Sequence, residues 1–130
     1  MSDMKPRGTP IVLDGEERHF LFTLNLIDQL EEKYGKTMQS IIEDITAENA
    51  DRHMLRDVVT MLLNNEAERS KRQQGTSQEL REVTEEEVGD MIDLDNYYTV
   101  LRAILQAYGI SLPEPEEDTD PNMQSGQTSG

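Results

Sequence analysis

The sequence predicts a mainly α protein, a small helical bundle of about five helices with an N-terminal β-hairpin and a disordered acidic C-terminal tail. Three observations predict it. Asp14-Gly15 sits between two apolar runs, the strongest short-range hairpin signal, because a tight type I′ turn needs positive φ at both central residues. From Leu24 onward the apolar residues recur at helical spacing, in segments closed by Gly35 and Gly109 or opened by threonine and aspartate. From Pro113 the apolar pattern stops, leaving five acids and no bases. Residues 1–9 are accordingly expected to be a flexible arm, 10–110 a single domain and 111–130 a tail without fixed structure.

Ile11, Val12 and Leu13 form the expected first strand, and Arg18 to Phe22 its partner. Strand alternation puts Phe20 and Phe22 on one face and His19 and Leu21 on the other. The first helix starts near Thr23 or Asn25, both good caps, and buries Leu26, Ile27, Leu30 and Tyr34 before Gly35. With Thr23 as cap, Phe22 and Ile27 stand at the two positions of a hydrophobic staple. Thr37 can cap a second helix, whose Met38, Ile41, Ile42 and Ile45 share one face.

Asp51 can cap a third helix, from about Arg52 to Glu66. Its apolar residues cover more than one stripe, so it is either central in the bundle or adhesive towards a partner. Residues 67–82 could prolong the third helix for a turn but read as an exposed polar loop. Thr84-Glu85-Glu86-Glu87 matches a capping box, with acids where the helix dipole favours them, and opens a short fourth helix carrying Val88, Met91 and Ile92. Asp95 is expected to cap the fifth, with Tyr97, Leu101, Ile104, Leu105 and Tyr108 as its apolar face.

Composition excludes several function classes. The chain has 130 residues, 30% of them charged, and a formal net charge of −15. A field of that sign repels nucleic acid and anionic membranes; it keeps a protein soluble and speeds its encounter with basic surfaces. With no cysteine there is no disulfide and no thiol chemistry. No apolar run approaches the ~20 residues of a membrane helix, and the first residues lack a signal core, so a cytoplasmic location is expected.

No motif for catalysis stands out. His19 and His53 lie on different elements and read as surface or boundary residues, and no nucleophile elbow, zincin motif or phosphate loop is present. Asp93-Leu94-Asp95-Asn96 begins like a calcium loop but has Tyr98 where glycine is required and Ile104 where glutamate is required. Arg69, Lys71 and Arg72 form a basic cluster without interleaved aromatics, which suits a solvated loop better than a nucleic-acid site. We therefore expect no enzyme activity, cofactor, metal or nucleic-acid partner. The seven methionines are more informative, because methionine lets an apolar surface re-pack around varied partners. Met54, Val58, Met61 and Leu62 on the third helix, with Tyr97, Leu101 and Tyr108 on the last, are the candidate partner-binding residues. Tyr98 adds rigid contact area beside them.

The hairpin and first helix also resemble those of tail assembly chaperones of long-tailed bacteriophages and gene transfer agents. The residues that carry the resemblance are Ile11-Val12-Leu13-Asp14-Gly15-Glu16, Phe22-Thr23-Leu24-Asn25-Leu26-Ile27 and Leu30-Glu31-Glu32. The isoleucine-bearing second helix, the Thr-Glu-Glu-Glu-Val start and the acidic tail continue it. Residues 67–82 depart from the pattern, being longer and more basic. The resemblance implies a non-enzymatic protein that coats the tape measure protein, keeps it soluble, helps recruit tail tube subunits and is missing from the finished particle. A different reading of the same composition is an acidic interaction module, such as an adaptor, an anti-repressor or a nucleic-acid mimic, that engages a basic partner through carboxylates.

Overall fold

The computed structural model describes residues 7–72 and 80–110. Among them the chain forms two strands and five helices and is mainly α. The strands are β1 (Thr9–Leu13) and β2 (Glu16–Phe20). The helices are α1 (Leu24–Tyr34), α2 (Met38–Thr46), α3 (Arg52–Arg72), α4 (Glu85–Met91) and α5 (Tyr97–Tyr108). The strands pair antiparallel with Leu13 opposite Glu16. Asp14 and Gly15 have φ of 57° and 77°, as a type I′ turn demands.

That two-residue turn sets the register, and it places β2 earlier than Arg18–Phe22. β1 likewise starts at Thr9, inside the segment expected to be an arm. Gly8 just before it has φ of 111°, and a Cβ there would stand 2.6 Å from the Phe20 carbonyl oxygen. Only glycine allows the backbones to come that close. Phe22 lies beyond the strand and packs edge-on against Tyr108, ring centroids 5.8 Å apart.

The hairpin stands between two helices: β2 packs mainly on α3, and β1 on α5. This contact covers both faces of β2 near its end, so Arg18, His19 and Phe20 are buried in succession. The reading of His19 as a surface or boundary residue is thereby corrected, since it is buried; His53 is exposed, as that reading has it. α3 is the hub and also touches α1, α2 and α4. Phe20, Ile41, Leu62, Leu63, Val88 and Ile104 are among the fully buried side chains of one continuous core.

Local capping explains most helix starts. The Thr23 hydroxyl accepts from the Leu26 N–H, and the Thr37 hydroxyl from that of Ser40. Asp51 Oδ1 accepts from the Met54 N–H. Thr84 and Glu87 form the full reciprocal box. The backbone N–H of Thr84, reinforced by Arg81, holds the Glu87 carboxyl below its ordinary range. Gly35 and Gly109 close α1 and α5 in the left-handed region.

Two boundaries differ from expectation. α3 runs on to Arg72, because Glu66 and Ala67 are covered instead of solvated. Residues 67–72 are thus helix, and of the expected loop, residues 73–79 lie outside the described part. α5 is not capped by Asp95. Asp93 Oδ1 accepts from the N–H groups of Asp95 and Asn96, while Asn96 Oδ1 accepts from the Asp93 N–H. Asp93 therefore forms the turn, and Asn96 occupies the cap position without a side-chain cap bond. The expected tail, 111–130, also lies outside the described residues.

Candidate functional site

The candidate residues separate according to burial. Met54, Val58 and Leu62 are core side chains, 5%, 0% and 0% exposed. α3 carries apolar residues on more than one face because it is surrounded by the hairpin and three helices, so a partner meeting this fold does not touch those three. Met61, Tyr97, Leu101 and Tyr108 are half-buried and remain reachable. They do not form one patch defined by a single helix face. On α5 the fully buried line is Val100, Ala103 and Ile104, and Leu101, Leu105 and Tyr108 flank it.

One reachable candidate, Tyr97, lines a groove of about 800 Å3. The first turns of α3 supply Arg52, Leu55 and Arg56. The end of α4 supplies Gly89, with Ile92 after it, and the turn into α5 supplies Asp93 and Leu94. Tyr97 and Tyr98 complete it from the start of α5, and Glu48, Asn49 and Ala50 border it. The two tyrosine rings meet edge to face, centroids 5.3 Å apart. Leu94 is 93% exposed and Tyr98 77%. Gly89 leaves room for the Arg56 side chain, whose Nε stands 3.3 Å from where a Cβ would lie.

Sequence reasoning did not single out Arg52, Arg56 or Leu94. The available signal was Arg52 and Arg56 one helical turn apart, a like-charge pair that a free helix disfavours. The basic cluster of Arg69, Lys71 and Arg72 lies on the last turn of α3, where cations suit the helix dipole. Arg69 donates to Asn65, and Lys71 and Arg72 are exposed.

Two polar networks fasten the domain. In the first, Glu66 receives Arg18 Nε at 2.8 Å and lies 3.0 Å from His19 Nδ1. In the second, Asp57 meets Lys33 Nζ at 2.7 Å and accepts from the Tyr34 hydroxyl. Burial alone raises the Asp57 carboxyl, but the hydrogen bonds from Lys33 and Tyr34, with the lysine charge, outweigh it and hold it below the ordinary range. Burial and the bond to Asp57 push the Tyr34 phenol up. Asp57 is therefore a structural anion, not a poised acid.

A depressed folded-state carboxyl contributes stability above its unfolded value, near 3.8, and loses it as pH falls through the folded value. Urea midpoints measured from pH 6 to pH 2 are expected to drop across that window, and Asp57→Asn should remove part of the drop. An unchanged acid limb in the variant would refute the assignment. Among the described residues no three or more His, Asp or Glu side chains are grouped to hold a metal, and no helix is long and apolar enough to cross a membrane. Compared with family models, with curated proteins and with solved structures, the chain matches none.

Proposed function

We propose that this protein is a phage-type tail assembly chaperone, non-enzymatic, which binds the tape measure protein, keeps it soluble and helps recruit tail tube subunits. The observation that carries the reading is the groove between α3 and α5. It presents Leu94 and Tyr98 to solvent beside the half-buried Tyr97, on a protein whose net charge is −15. A chaperone for an apolar helical client needs both properties. The exposed Leu94 and Tyr98 side chains of the groove would capture the client, and the surrounding charge would keep the pair from aggregating. The hairpin and its Asp14-Gly15 turn, on which the family resemblance rests, fit the same reading. On this reading the protein works in the host-cell cytoplasm and leaves before the particle is complete.

Co-expression with the tape measure protein tests it. The two are expected to co-elute with the client in the soluble fraction. Leu94→Asp together with Tyr98→Asp should abolish capture without unfolding the domain, since both side chains are exposed. Separate elution with an insoluble client would sink the proposal.

The acidic-adaptor reading is favoured by a different observation, the exposed Glu85 and Glu86 opening α4. Ionic strength separates the two. Raising salt from 0.1 M to 1 M shortens the Debye length from about 10 Å to about 3 Å, which weakens carboxylate-mediated binding and leaves apolar capture in place.

A further inference from the structure

We propose that the groove between α3 and α5 is the contact surface of a two-fold pair of identical chains, in which the exposed Leu94 and Tyr98 of each copy enter the groove of the other. The argument begins with charge. Two cations, Arg52 and Arg56, and two acids, Glu48 and Asp93, line the groove. Arg52, Glu48 and Asp93 are exposed and Arg56 is half-buried. None of the four makes an ion pair with another described residue. One surface thus offers both signs in equal number. A two-fold interface needs such a surface, because the same patch faces itself, and residue i of one copy meets residue j of the other. Arg52 and Arg56 of each copy then stand opposite Glu48 and Asp93 of the other. A partner of a single sign would meet like charge on one wall; a second copy does not.

Net charge opposes association elsewhere on the chain, since two molecules of −15 repel. That repulsion decays over a Debye length, about 8 Å at physiological ionic strength, whereas charges paired across the groove are in contact. The balanced groove is therefore where two copies can meet without opposing their own excess charge.

Shape points the same way. Leu94 is 93% exposed on the turn before α5 and Tyr98 is 77% exposed, beside a hollow of about 800 Å3. A projecting side chain next to a hollow suits reciprocal insertion, in which each copy gives a knob and receives one. The parts are positioned beforehand. The Tyr98 ring rests edge to face on Tyr97, and the Arg56 side chain lies over Gly89. Tyrosine and arginine are also the side chains that dominate interface energies. The pair covers Leu94 and Tyr98, so pairing and client capture exclude each other. Pairing needs no client, and its failure would leave the chaperone reading standing.

Sedimentation equilibrium of the full-length chain tests it. The mass is expected to rise from one chain towards two as concentration is raised to about 1 mM. Arg52→Glu with Arg56→Glu should weaken pairing at least about tenfold, the scale of like charges brought together at an interface. Glu48→Lys should weaken it as well. An equimolar mixture of those two variants should pair again, because each contact set then joins opposite charges. Lys71→Glu with Arg72→Glu makes the same change in net charge away from the groove and should leave pairing intact. Leu94→Asp, at an exposed position, should also give single chains and serves if the arginine reversal disturbs the fold. A wild-type chain that stays single up to about 1 mM would overturn the proposal. So would pairing that persists in the arginine and Leu94 variants, a mixture that fails to pair, loss of pairing in the Lys71 and Arg72 control, or growth beyond two chains.

Discussion

Glu66→Ala is expected to destabilise the protein by about 3–5 kcal/mol, the usual cost of stranding one member of a buried ion pair. Glu66 is 7% exposed and Arg18 3%. Glu66 Oε1 accepts from Arg18 Nε at 2.8 Å and from the His19 backbone N–H at 3.1 Å, while Oε2 faces His19 Nδ1 at 3.0 Å. Alanine leaves the Arg18 guanidinium buried with the Leu63 carbonyl, at 2.9 Å, as its remaining hydrogen-bond acceptor. It also deprives the His19 backbone of its acceptor. Since small domains are stable by about 5–15 kcal/mol, the loss is a large share of the total.

Urea unfolding reads it directly; a loss below about 1 kcal/mol would show that the network contributes little. The double variant Arg18→Met with Glu66→Leu is expected to recover most of the loss. Apolar replacements of both partners remove the desolvation cost together with the attraction. Recovery would also show that the hairpin is held on α3 by packing as well as by charge.

Leu62→Ala is the second large effect, expected at about 3–4 kcal/mol from lost transfer energy plus the cavity left behind. Leu62 is 0% exposed on the helix against which β2, α1, α2 and α4 pack. Tyr98→Ala is the contrast. Its ring is 77% exposed, so stability should change by no more than about 0.5 kcal/mol, while on the proposed chaperone function capture of the tape measure protein should fall. Similar unfolding midpoints for the two variants would contradict the division of α3 and α5 residues into core and groove.

That division explains which parts of the candidate site were legible. A methionine or leucine looks the same in sequence whether it faces a neighbouring helix or a partner. Met54, Val58 and Leu62 were apolar for the first reason, and Met61 stays half-buried at the margin. Tyr97 was legible because a tyrosine at the start of a helix carries both an apolar ring and a polar tip. Arg52 and Arg56 were not singled out, because two arginines on a helix are ordinary until the fold places them in one groove with the tyrosines.

The sequence by itself determined the local features. The Asp14-Gly15 turn, the caps at Thr23, Thr37 and Asp51, the Thr84–Glu87 box and the stops at Gly35 and Gly109 all form as read. Each depends on groups within a few residues of one another, so propensity and spacing specify it. The four apolar positions of α2 are buried together for the same reason. The tertiary structure decided what depends on distant residues. Glu66 and Arg18 are 48 positions apart, and their pairing turns a polar stretch into covered helix and a strand histidine into a buried one. The line α5 buries also follows from where the hairpin lies, because a helix with apolar residues around half its circumference buries whichever of them its neighbour covers.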